Sequence, residues 1–203
     1  MPNRPVACVG CDLGWRKMLV HVRWSNGRRR TFAWYCKPRR VTDEFVLWTH
    51  VLGFRRVFEV VASSGALPVV AYERPIPHLG HKSAERINVV AGVLTAAVMQ
   101  VCGGPGGAVL VPAYPSQIRA VVGASPQDEA LGRVDVWVFG TGSVEYRFGR
   151  QHLKDLKIYE DALDAARASE YAQWAVEVNG VPETSDASRR QRTGSSPLVR
   201  KRT

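Results

Sequence analysis

Four carboxylates carry the strongest chemical signal in this sequence: Asp12, Glu73, Asp161 and Asp164. Asp12 closes the run VACVGCD and Glu73 closes PVVAYE, so each ends a short apolar segment of the kind that forms a buried strand. An ionised carboxylate is rarely left buried without a partner. Asp161 and Asp164, in YEDALDAARASEYA, are three residues apart and share one helix face. They lie in the first turns, where the helix dipole favours negative charge. In an open α/β sheet the strand ends face a common crevice where ligands bind. Gathered there, the acids would repel: two unit charges about 4 Å apart cost about 4 kcal/mol at an effective dielectric of about 20. A divalent cation relieves that repulsion, and all-oxygen ligation suits Mg²⁺, with Mn²⁺ as its substitute. Two such ions about 3.5–4 Å apart can activate water and stabilise the leaving oxygen of a phosphodiester. Taken singly, each acid also has an ordinary explanation. Asp12 can begin a turn, Glu73 can pair on the surface, Asp161 can serve the helix dipole, and Asp164 can pair with Lys157 or Arg167. Their order and their matching places at element ends favour one shared site.

The elements that would position these acids follow from periodicity. Residues 6–12 read as a strand, and residues 18–24 alternate with period two. Asn26-Gly27 signals a hairpin into a third strand over residues 30–36. Thr42 caps a helix expected over residues 43–62, with Leu47, Val51, Phe54, Phe58 and Val61 along one face. A short strand over residues 68–73 precedes a loop, RPIPHLGHK, and a helix over residues 83–101. A further strand is expected at residues 108–111, a short helix opened by Pro115 at residues 115–122, and a last helix over residues 159–178. Between them RVDVWVFG reads as either a strand or a helix. The order β-β-β-α-β-α-β with a closing helix gives an α/β fold: a mixed five-stranded sheet, three antiparallel strands then parallel ones, with helices on both faces.

With 203 residues and 45% hydrophobic content, the chain can build a core. The formal net charge of +10 favours polyanionic partners. From Gly180 onward the text is rich in Ser, Thr, Pro and Arg and has little to bury, so the organisation expected is a domain over residues 1–179 and a disordered basic tail over residues 180–203. Cys8 and Cys11 form a C-x-x-C inside an apolar run, with no second pair to complete a zinc site, so free thiols are expected for them and for Cys36 and Cys102. No run of apolar residues reaches membrane-spanning length and MPNRPVACVG does not read as a secretion signal, so a cytoplasmic protein is expected. Its richness in Val, Ala, Gly and Arg points to a GC-rich genome, so the expected setting is bacterial or phage and nucleoid-associated.

These motifs resemble a known family. VGCDLGWRK is similar to the first-strand Asp motif of RNase H-like nucleases. VVAYERP followed by SAERINVVAGVL resembles the second acidic motif of RuvC-type Holliday-junction resolvases. VPAYPSQIRAVVG resembles their next strand, proline and short helix, and EDALDAARASEYA their closing D-x-x-D helix. The resemblance implies an RNase H-like fold, a homodimer and metal-dependent nicking of Holliday junctions or other branched DNA. Asp12, Glu73, Asp161 and Asp164 would then be the catalytic, metal-binding acids. Arg133 stands where the family carries a lysine, or that lysine has no counterpart. Arg74, Lys82, Arg86, Arg119, Arg133, Lys154 and Lys157 are candidate DNA contacts, which fix position and make binding salt-dependent. His78 and His81 follow Glu73, and the apolar loop Pro75–Leu79 could be a junction wedge, a dimer contact or local packing. A noncatalytic DNA-binding module with the same fold, and an actin-like phosphotransferase suggested by DLGWRK, are the alternatives.

Overall fold

The computed structural model describes residues 5–37, 41–74, 81–104, 106–123, 126 and 128–180. The loop carrying Pro75 to Leu79, including His78, and the tail after Gly180 lie outside them.

The chain opens with a three-strand meander: β1 (Val6–Leu13), β2 (Lys17–Trp24) and β3 (Arg29–Cys36), each antiparallel to the one before. Gly27, at φ +83°, makes the β2–β3 turn, a backbone state that costs glycine little. Helix α1 (Asp43–Ser63) starts at Thr42, whose side-chain oxygen accepts from the Phe45 amide at 3.3 Å. Strand β4 (Leu67–Glu73) adds parallel to β1, and β5 (Val109–Ala113) parallel to β4, with helix α2 (His81–Cys102) crossing between them. Helix α3 (Pro115–Val122) carries proline at its first position, where the missing N–H has no intrahelical acceptor.

The sheet has seven strands, not five. Residues 133–148 form a hairpin, β6 (Arg133–Gly140) and β7 (Ser143–Phe148), so RVDVWVFG is a strand. β6 lies parallel to β3 and gives the order β5-β4-β1-β2-β3-β6-β7. Val134, Val136 and Val138 pack on one face of β6, and Trp137 and Phe139 on the other. Burial on both faces turns the strand into a nearly continuous apolar run, which erases the alternation that marks a half-buried strand. Helix α4 (Gln151–Asp155) then leads into α5 (Tyr159–Asn179).

Helices cover both faces. α1 and α2 pack Phe54, Val57, Phe58, Val61, Leu94 and Val98 onto one face, against Val9, Val20, Phe32 and Trp34. α5, with Ile118 of α3 and Leu153 of α4, covers the other. The strand pleat sends Cys8 to the α5 face and Cys11 to the α1 face. The C-x-x-C therefore cannot close a disulfide or share a metal. Burial also raises the Cys8 thiol to about 11 and Cys11 higher still, so both stay protonated at neutral pH.

Candidate active site

The same alternation decides what the strand ends present. Ala7, Val9, Cys11 and Leu13 face α1 and α2, so Cys8, Gly10 and Asp12 face α5. On β4, Leu67, Val69 and Ala71 pack in the α5 layer, and Glu73 follows with the same parity. On β2, Lys17 stands two residues before Leu19, which also packs under α5. The parallel ladder pairs Cys11 with Tyr72, and the antiparallel ladder pairs Asp12 with Leu19. Asp12, Glu73 and Lys17 thus occupy one end and one face of the sheet.

α5 meets that face at Gly10. A Cβ on Gly10 would stand 2.0 Å from the Ala165 carbonyl oxygen and 2.2 Å from the Ser169 nitrogen. No side chain separates strand from helix there, and the buried underside of α5 is small throughout: Ala162, Ala165, Ala166, Ala168, Ser169 and Ala172. The helix runs against the direction of β1, with Ala168 and Ala172 packed around Cys8 and its first turns over the β1 terminus. Asp161 and Asp164 are carried to Asp12 by this close approach.

The acids sense one another. Burial pushes the Asp12 carboxyl up to about 7, and the charges of Asp161, Glu73 and Asp164 push the same way, while Lys17 opposes them. Glu73 is also raised, first by burial and then by Asp164, with Arg119 and Arg167 pulling it back. Two cations hold the helix acids. Lys17 Nζ donates to Asp161, and Arg167 donates to Asp164 Oδ1 at 2.5 Å. The Arg167 side chain is only 12% exposed, so its pairing with Asp164 is part of the site and not of a solvated helix face.

Among the described residues, no three His, Cys, Asp or Glu side chains form a ready ligand set for a metal ion. The donor chemistry does suit one: an all-oxygen set whose Asp12 carboxyl is pushed up by burial and by its acidic neighbours is what a hard divalent cation would relieve. Asp12 and Glu73 are the half-buried members at the strand ends, and Asp161 and Asp164 the ones held by Lys17 and Arg167.

The turn between Asp12 and Lys17 is braced from the opposite layer. His50 of α1 is buried, and burial lowers it to about 4, so its ring is neutral. Its Nδ1 accepts from the Trp34 indole at 3.0 Å, which leaves Nε2 to donate to the Trp15 carbonyl at 2.8 Å. Arg16 donates to the Cys36 carbonyl at 3.0 Å. The link between β1 and β2 is therefore tied to both α1 and β3.

No family model matches this chain, and no curated protein matches it either. Solved structures do. Thermus thermophilus RuvC in complex with a Holliday-junction substrate aligns with a TM-score of 0.53 at 14% identity, over 86% of this chain and 97% of that one. A second Thermus thermophilus RuvC structure aligns with a TM-score of 0.51, also at 14% identity, over 86% of this chain and 98% of that one. The fold is that of RuvC. At this identity the likeness to RuvC is one of architecture: the mixed sheet, the helices on both faces and the order of elements.

The candidate DNA contacts fall into two groups. Arg119 reaches the charge field of Glu73, and Arg74 follows that acid, its guanidinium 6.0 Å from the Tyr114 ring. Arg86 lies over Trp15 in the β1–β2 turn at 4.8 Å and 3.5 Å from Asp43. Lys154 packs over Tyr159, at the start of α5, and Lys157 sits just before it at φ +55°. Lys82 is exposed on the first turn of α2. Arg133 stands apart. It begins β6, opposite Arg30, whereas the acid end of the sheet lies near Tyr35 and Cys36. That is most of a strand away, about 20 Å at about 3.3 Å per residue. The backbone of His81 opens α2.

Lys17, Arg167 and Gly10 complete the picture. Only the i,i+3 spacing of Arg167 from Asp164 announces its contact in the sequence. Lys17 needs the turn geometry, and Gly10 needs the helix above it.

Proposed function

We propose that this protein is a metal-dependent endonuclease that nicks Holliday junctions or other branched DNA by phosphodiester hydrolysis. Asp12, Glu73, Asp161 and Asp164 serve as its catalytic and metal-binding acids. The observation that carries the reading is the approach of α5 at Gly10, which gathers the helix acids around the strand-end acids within a RuvC fold. When bound, Mg²⁺ or Mn²⁺, as two ions, supplies activated water and charge stabilisation for the leaving oxygen. The chain's own residues do the rest. Asp12 and Glu73, from neighbouring strands, form a rigid half of the ligand set, because both stand on hydrogen-bonded sheet. Asp161 and Asp164, paired with Lys17 and Arg167 in this structure, would supply the other half. Lys17, Arg119 and Arg74 are the cations beside this set that would face the scissile strand and hold its phosphates.

Branched DNA is favoured by the +10 charge and by the Holliday-junction complex of the RuvC neighbour. A homodimer is favoured by α2. Its residues 82–102 are long and apolar enough to cross a membrane by length and composition alone. Val90, Leu94, Ala97 and Val98 pack in the core, yet Val89, Gly92, Ala96 and Met99 leave a small-residue apolar stripe exposed, suited to a second α2.

The deciding experiment is a denaturing gel of labelled four-way junction, linear duplex and flap DNA with Mg²⁺, Mn²⁺ or EDTA. Asp12→Asn and Asp161→Asn proteins should bind the junction and leave it intact, and cleavage at the wild-type rate by either would end the assignment. The pairing of Lys17 and Arg167 with the helix acids favours a second reading, a DNA-binding module without catalysis. It predicts junction binding by the wild-type protein and no metal-dependent nicking.

A further inference from the structure

The other face of the sheet, at the end away from the acids, carries a second chemistry. Five of the eight cation–π contacts among the described residues gather there. Arg28 lies over Trp24, Arg30 over Phe32, Arg133 over Phe148, and Arg56 over both Trp137 and Tyr146. Between α1 and the β6–β7 hairpin Arg30, Phe32, Arg56, Trp137 and Tyr146 line a groove of about 440 Å³, and Arg133 and Phe148 flank it at the start of β6 and the end of β7. One buried carboxylate, Asp135, holds two of the guanidinium groups: Arg30 at 2.5 Å and Arg133 at 3.2 Å. Arg56 has no carboxylate partner among the described residues and donates instead to the Tyr146 hydroxyl. Glu59, on the same rim, is engaged by Arg55 at 2.8 Å. The groove is therefore net cationic.

Its aromatic rim is exposed on the outermost strand. Tyr146 is 50% and Phe148 61% exposed, on the β7 face that turns toward α1. Edge strands are usually blunted with charge, as Glu145 and Arg147 do on the opposite face of β7. Two exposed rings set among arginines instead make a stacking platform within a field that attracts phosphates.

We infer that the groove between α1 and the β6–β7 hairpin binds an unpaired DNA strand, its bases stacked on Tyr146 and Phe148 and its phosphates facing Arg30, Arg56 and Arg133. Duplex DNA fits this chemistry less well, because its base faces are hidden in their own stack. The inference does not depend on catalysis by the acids, since it concerns the other face and other end of the sheet.

The test is fluorescence anisotropy of the full-length protein with a labelled single-stranded oligodeoxynucleotide and with its duplex, in EDTA so that no strand is cut. Tyr146→Ala/Phe148→Ala should weaken single-strand binding about tenfold or more, as expected for the loss of two stacking rings, and leave duplex binding within about twofold. Arg56→Gln, which keeps an uncharged polar group beside Trp137, should weaken it about threefold and flatten its salt dependence. Both variants should retain the wild-type melting profile, and Arg56→Gln stands as the check if the double variant does not. Single-strand binding within twofold of wild type in folded variants would overturn the inference. So would an equal loss for duplex, or a change of oligomeric state with single-strand binding intact, which would mark the groove as a protein contact.

Discussion

At the residue scale, Asp12 holds the balance of the acid cluster. Its carboxyl rises from an ordinary 3.8 to about 7 because the folded state buries it among other acids. A raised carboxylate pKa means that the folded state holds its proton more tightly than the unfolded state does. The associated stability is full below about 3.8 and is lost as pH rises through about 7. Asp12→Asn should therefore stabilise the metal-free protein at pH 8, on the order of 1–3 kcal/mol, and by clearly less at pH 5. Thermal melts in EDTA at the two pH values measure this, and equal shifts at both would contradict it. Adding Mg²⁺ should raise the melting temperature of the wild type at pH 8 more than that of the variant. The strand-end acids could be read from sequence because an acid closing an apolar run is chemically anomalous. Lys17 could not, because its link to Asp161 spans 144 residues and exists only once β2 returns beneath α5.

At the element scale, the decisive contact is α5 on β1. Gly10→Val would set side-chain atoms into the Ala165–Ser169 backbone, so the helix must lift and carry Asp161 and Asp164 with it. Backbone atoms cannot rotate away, so the cost should reach or exceed the roughly 1–3 kcal/mol typical of overpacking. The expected result is a folded but less stable protein with nicking reduced at least a hundredfold; cleavage close to wild type would show that the acids need no such approach. The exposed stripe of α2 makes a separate prediction. Val89→Glu should leave the fold intact and shift a dimer to monomer in light scattering, and an unchanged mass at low concentration would remove α2 as the contact. Helix periodicity marked Phe54, Phe58 and Val61 on the buried face of α1 in advance, whereas Val51, expected on that face, is exposed. It could not mark the hairpin of β6 and β7, whose first strand is buried on both faces and whose second is mostly exposed.

At the scale of the whole molecule, two buried histidines oppose Asp12 in pH dependence. Burial lowers His21 to about 3 and His50 to about 4, so each is neutral in the folded state and takes up a proton near 6.5 on unfolding. Their contribution is full above about 6.5 and is lost as pH falls toward 4, while that of Asp12 fades as pH rises to 7. Metal-free stability should peak near neutrality, and melts across pH 4 to 9 in EDTA would reveal a flat or monotonic profile if this is wrong. Removing residues 181–203 should lower DNA affinity and reduce its salt slope without abolishing activity at low salt, because phosphate contacts contribute roughly independently. Much of this protein was determined locally, by its sequence. The order of elements through α3, the Thr42 cap and the two acids at strand ends follow from side-chain period and chain chemistry alone. Tertiary structure decided the rest: that seven strands share one sheet, that a bare glycine lets a helix settle onto β1, and that arginines distant in the chain line one groove. Periodicity reports which face of an element is buried, whereas only packing determines which other element covers it.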